Sequence, residues 1–129
     1  MRCNTCKTFC STWLTRTAVL LVLGASLATA TLAMSIRELR TLEKSGKQGD
    51  AYASYYLVGV MEGSVESLAQ SVRNGAAPIV CLNGRRLEPQ NARSLYATEL
   101  QRNADLYEAD MPVQLVLVNA LATVYACPQ

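Results

Sequence analysis

The chain reads as an all-α domain, a small bundle of about four helices closed by one disulfide, and three observations predict this. Apolar residues recur at helical intervals in four stretches beyond position 34. Each stretch follows a recognisable helix start: Ser35-Ile-Arg-Glu38, Asp50, Pro89 and Asp110-Met111-Pro112. Only two cysteines, Cys81 and Cys127, lie beyond the first ten residues. With 129 residues in all, the chain has room for one core and none for a second.

The first stretch differs in kind from the rest. Arg2, Lys7 and Arg16 precede an uncharged apolar run from Thr17 to Met34, and small residues close it. Basic flank, apolar run and small-x-small pattern are the three parts of a signal peptide. Two patterns fit, Ala28-Thr29-Ala30 and Thr31-Leu32-Ala33, so the signal is placed at 1–33 with cleavage after Ala30 or Ala33, and the domain at 34–129. An uncleaved anchor is the competing reading, because the run approaches the roughly 17 to 20 residues that cross a bilayer. Gly24, Ser26, Thr29 and Thr31 weigh against it.

A periplasmic protein, free of the membrane after cleavage, is therefore expected. No cysteine follows the apolar run closely enough for lipid attachment. Cys3, Cys6 and Cys10 have a spacing that suggests a metal cluster, but the chain has no histidine and a signal peptide is discarded. Nine basic and ten acidic residues remain once the leader's three are removed from the twelve, so the formal +2 belongs to the leader. The remaining charges are interspersed, which gives no basic face for nucleic acid.

In the first helix Ser35 and Glu38 form a capping box, and Ile36, Leu39 and Leu42 point inward. Gly46 to Gly49 is expected to end it, with Asp50 capping a second, longer helix that runs to Asn74-Gly75. Tyr52, Tyr56, Val60, Leu68 and Val72 form its apolar stripe, broadened by Tyr55, Leu57, Val58, Met61 and Val65. Gly59 and Gly63, four apart, leave a groove beside Tyr55 suited to helix packing or dimerisation.

From Gly75 the chain changes character. Gly75-Ala-Ala-Pro78 stops the helix, Ile79 to Leu82 looks extended, and Asn83-Gly84 is a turn pair. A third helix is expected from about Pro89 to near Asn103, with Ala92, Leu95, Tyr96, Leu100 and Leu106 inward. Asp110-Met111-Pro112 opens a fourth helix to Ala126, capped by Asp110 and uncharged from Met111 onward. Val113, Val116, Leu117, Ala120, Leu121, Val124 and Tyr125 make it the central buried helix; Gln114, Asn119 and Thr123 argue against a membrane span.

In an oxidising compartment Cys81 and Cys127 are expected to pair, two buried thiols being the alternative. Pairing closes a loop of about 46 residues, worth about 4 kcal/mol in the chain-entropy model. It would pin the turn before the third helix to the end of the fourth.

The absence of histidine excludes Ser-His-Asp and Cys-His nucleophilic sets and most zinc sites. Glu62 and Glu66, four apart on the second helix, could be a glycosidase pair, but Arg73 on the same side suits a solvated face better. Asp105, Glu108 and Asp110 lack the alternating ligands and central glycine of a calcium loop. No enzyme, metal or cofactor is expected. Asn83, Arg85 and Arg86 stand out differently: two arginines on a turn held by a disulfide present a rigid partner-binding loop, the plainer reading being a solubilised turn.

Residues 50 to 128 resemble the small periplasmic immunity proteins of the Rap/Tai type, which neutralise peptidoglycan amidase effectors of type VI secretion systems. The resemblance rests on the order Tyr56-Leu-Val-Gly59-Val60 on a long helix, Cys81 in the next loop, a helix with Leu100 near its end, Pro112 opening an apolar helix, and Ala120-Leu121 through Tyr125 to Cys127. The chain departs from that pattern where Leu82-Asn83-Gly84 follows Cys81, where Ala126 precedes Cys127, and in a longer Arg102 to Asp110 segment. The resemblance implies a non-catalytic, often dimeric domain that plugs an amidase groove with a protruding loop. The alternative, from another class, is an acid-stress chaperone resembling the Hde-type periplasmic proteins.

Overall fold

The computed structural model describes residues 33–128, and the expected signal peptide, its three cysteines and most of the cleavage region lie outside them. Four α-helices carry the domain: α1 (Ile36–Glu43), α2 (Lys47–Arg73), α3 (Asn91–Arg102) and α4 (Val113–Val124), with a single 3₁₀ turn at Ala104–Leu106. No β-strand forms among the described residues, and the fold is the small, disulfide-closed, all-α domain that the sequence predicts.

Helix α1 begins as expected. The Ser35 N–H donates to Glu38 Oε2 at 2.7 Å and the Glu38 N–H donates to Ser35 Oγ at 3.3 Å, completing the capping box. The backbone bond from Ser35 and the one from its hydroxyl hold the Glu38 carboxyl below its ordinary range. Two further N–H groups of this first turn find carbonyls on the loop before α4: Ile36 donates to Met111 at 3.0 Å and Arg37 to Ala109 at 2.8 Å. In return the Val113 N–H, opening α4, donates to the Met34 carbonyl at 3.0 Å. The two helix starts thus satisfy one another's orphan donors, a job for which neither has enough side chains of its own.

That reciprocity corrects the fourth helix. Asp110 does not cap it: Pro112 is the N-cap, in extended conformation with no side-chain cap, and Asp110 pairs with Arg37 at 3.0 Å. The C-terminal end is shorter than expected, stopping at Val124 with Tyr125 as cap.

Helix α2 also starts earlier than expected. Gly46, at φ 95°, is its N-cap, and Asp50 lies inside the first turn. Gly49 is helical and buried, where a β-carbon would collide with Ser45 Oγ and the Leu42 carbonyl. The glycine read as a stop is therefore what lets α2 fold back against the end of α1.

At 27 residues α2 is about 40 Å long. Its buried stripe is Ala53, Leu57, Met61 and Ser64. Tyr56, Val60 and Leu68 flank it half-buried, whereas Tyr52, Tyr55 and Val72 are exposed. The stripe is rotated from the expected one and takes in the small residues Ala53 and Ser64, both buried. A reading that weights large apolar side chains passes over them.

Helix α3 buries Ala92, Leu95, Tyr96 and Glu99. Leu106, expected on its inner side, is exposed because the helix ends at Arg102 and the 3₁₀ turn redirects the chain. Helix α4 buries Val113, Val116, Leu117, Ala120 and Leu121 and packs on α2 and α3, while α1 lies on α2. Val124, expected inward, is exposed along with Leu115. One hydrophobic cluster runs through all four helices. No helix among the described residues is long and apolar enough to cross a membrane.

Candidate functional site

The loop between α2 and α3 is fixed to the end of α4 at three points. Cys81 and Cys127 are bonded, with their Cα atoms 4.9 Å apart. The Cys81 N–H donates to the Tyr125 carbonyl at 2.7 Å. The Arg85 guanidinium lies over the Tyr125 ring, 4.4 Å from its centroid.

Between these anchors the chain reverses at Leu82-Asn83-Gly84-Arg85, closed by the Arg85 N–H to the Leu82 carbonyl at 2.9 Å. Asn83 and Gly84 both have positive φ, 50° and 77°, the conformation for which an Asn-Gly pair is favoured. Arg85 Nε donates to the same Leu82 carbonyl at 3.2 Å.

The three residues expected to form a contact loop therefore divide their work. Asn83 sets the backbone, Arg85 is bound to the scaffold, and Arg86 is the exposed cation next in line. Tyr125 carries no sequence signal as a partner for Arg85, because the two lie forty positions apart and only the fold brings them together. Beside the turn lies a groove of about 400 Å³ between the second half of α2 and the segment leading to Cys81. Val65, Leu68 and Val72 form one wall, Ile79, Val80 and Leu82 the other. Nothing local in the sequence joins these two segments, which lie on different elements.

Tyr55, Gly59 and Gly63 lie together on an exposed side of α2, with Tyr55 75% exposed. A β-carbon built on Gly59 or Gly63 meets nothing within 4 Å. No helix of the described residues packs against Gly59 or Gly63.

Two of the carboxylate candidates are ion-paired. Glu66 pairs with Arg73, both exposed on α2, and Asp110 pairs with Arg37. Among the described residues there is no cluster of three or more metal-capable side chains. Arg93 donates to Glu43 on α1 at 3.0 Å, to Asp50 on α2, and to Ser54 Oγ at 3.3 Å, joining three helices. The Arg93 bond holds the Asp50 carboxyl below its ordinary range. Burial pushes the Tyr96 hydroxyl up to about 12.

Fold and site together define a class: a disulfide-closed helical domain presenting a rigid, cationic turn beside an apolar groove. No family model matches the chain, and comparison with curated proteins and with solved structures returns no match.

Proposed function

We propose that the protein is an exported, non-catalytic inhibitor of the immunity type, which binds and blocks a peptidoglycan amidase effector of a type VI secretion system in the periplasm. The observation that carries this reading is the Asn83-Gly84 turn, locked to α4 by the Cys81–Cys127 bond and by Arg85 on Tyr125, with Arg86 exposed at its end. A pinned turn loses little entropy when it inserts into a groove, and arginine is favoured among residues that dominate binding energy. The order of helices and cysteines described above is the second support. The exposed Tyr55, Gly59 and Gly63 side suits a homodimer.

The test is protection. Cells producing the exported protein should survive a periplasmic amidase encoded beside it, and cells producing a leaderless version should not. Arg86→Glu should lose protection while keeping the fold and the disulfide. Equal protection by exported and leaderless forms, or by neither, overturns the proposal.

One observation favours a second reading, the acid-stress chaperone: the Arg93 hydrogen bond holds the Asp50 carboxyl below its ordinary range, so acid weakens the contact of α2 with α3. Client binding and dimer loss near pH 3, followed by light scattering, would select it.

A further inference from the structure

Glu99 is the only buried charged side chain among the described residues, 3% exposed on the inner side of α3. Its Oε1 is fully used, accepting from Asn103 Nδ2 and from the Tyr107 hydroxyl, each at 2.8 Å. Tyr107 is itself held by Asn119 Nδ2 at 2.9 Å, so the carboxylate cannot rotate without breaking the chain of bonds. Oε2 accepts no hydrogen bond. The nearest cation, Arg102 Nη1, is 3.8 Å from it, outside hydrogen-bond reach, on a side chain 46% exposed.

This half-satisfied carboxylate is part of the wall of a cleft of about 90 Å³ between α3 and α4. Leu95, Ala120 and Val124 give the cleft an apolar side; Thr98, Glu99 and Arg102 give it a polar one. The volume holds a group of a few heavy atoms. An anion is excluded by the carboxylate. A hard metal ion needs a shell of oxygens that the apolar side does not offer. A charged donor on a hydrocarbon stem meets both sides at once.

We propose that this cleft is a binding site for an alkylammonium group, which donates to Glu99 Oε2 while its stem lies on Leu95, Ala120 and Val124. The chemistry is that of a lysine side chain on a protein partner or of a free short amine. Oε2 is out of solvent's reach, so Arg102 swings outward as the ammonium enters, exchanging a long ion pair for a charge-assisted hydrogen bond. The proposal stands independently of the inhibitor reading, since it names no effector.

The test is a two-dimensional NMR titration of the exported, disulfide-bonded protein with n-butylammonium chloride, against sodium chloride and n-butanol at matched concentrations. Saturable shifts at Thr98 and Val124 are expected with butylammonium alone. Arg102→Ala should tighten binding several-fold by removing the competing cation, and Glu99→Gln should weaken it by about tenfold or more. A lysine flanked by glycines in a blocked peptide separates the sources: saturation by the peptide assigns the site to a partner's lysine, and saturation by butylammonium only assigns it to a free amine. Shifts no different from those of sodium chloride or butanol, or binding unchanged by Arg102→Ala, overturn the proposal. The wild-type comparison and Arg102→Ala decide the matter even if Glu99→Gln fails to fold.

Discussion

The guanidinium of Arg85 rests on the ring of Tyr125, 4.4 Å from its centroid, while the neighbouring Arg86 is exposed. Adjacent residues of identical type should therefore respond differently to substitution. A cation over an aromatic ring contributes about 0.5–1 kcal/mol at exposed sites, so Arg85→Ala should cost about that much in stability. Arg86→Ala should stay within about 0.5 kcal/mol of the parent, as surface changes away from special contacts do. Urea unfolding of the two variants checks this, and equal losses would contradict the division of roles between them.

The disulfide makes the larger contribution. Cys81 and Cys127 are 46 positions apart, so the chain-entropy model assigns their bond about 4 kcal/mol. Replacing both by serine should lower stability by about that amount and free the Asn83-Gly84 turn from α4. Non-reducing against reducing mass analysis of the exported protein should show a difference of two hydrogens. Amide exchange at Arg85 should rise in the double variant more than exchange in the first turn of α1, which is held by other bonds.

What was legible in the sequence follows from what is local. Ser35 and Glu38 sit three apart, so their capping box forms wherever the helix does, and it is found as read. The Asn83-Gly84 turn is legible for a similar reason, a dipeptide preference, whereas the cysteine pair, 46 positions apart, is legible only by elimination. Asp110 misled because a residue suited to capping was read without its competitor. The Met34 carbonyl, 79 positions away, takes the first N–H of α4, and no local pattern encodes it. Glu99 gives no sequence signal, since a glutamate on a helix is ordinarily solvated and only the fold places Asn103 and Tyr107 around it.

Two glycines of α2 should respond in opposite directions to alanine. At Gly49 the added methyl collides with Ser45 Oγ and the Leu42 carbonyl, one of them backbone, so Gly49→Ala should be destabilising. At Gly59 the methyl meets nothing, and alanine's better helix propensity should add about 0.5–1 kcal/mol. Thermal unfolding of the pair distinguishes close approach from tolerance. If Gly59→Ala lowers the midpoint instead, that side of α2 is packed against something, and the dimer proposal gains its first support.

Acid should loosen the junction that Arg93 holds. Asp50, whose carboxyl is kept below its ordinary range by the Arg93 hydrogen bond, is ionised in the fold at pH values where the unfolded chain has begun to bind protons. Its contribution is present above the unfolded value of about 3.9 and is lost as pH falls through the lower folded value. Stability should therefore decline below about pH 4, with a shallower decline in Asp50→Asn. An acid profile unchanged by that substitution would show that the Asp50–Arg93 bond does not govern the decline.

Alkali should act through Tyr96 with the opposite sign. Burial pushes its hydroxyl up to about 12, and the oxygen has no hydrogen-bond partner among the described residues. The folded state therefore keeps its proton where the unfolded chain, with an ordinary value of about 10, gives it up. The stabilisation is complete below about pH 10 and is lost as pH rises towards the folded value. Tyr96→Phe removes both the titration and an unpartnered buried hydroxyl, so it should be neutral or slightly stabilising at pH 7 and should flatten the alkaline decline. Stability curves of parent and variant between pH 8 and 12 check both parts. A large loss at neutral pH would mean that the hydroxyl has a bonded partner in solution.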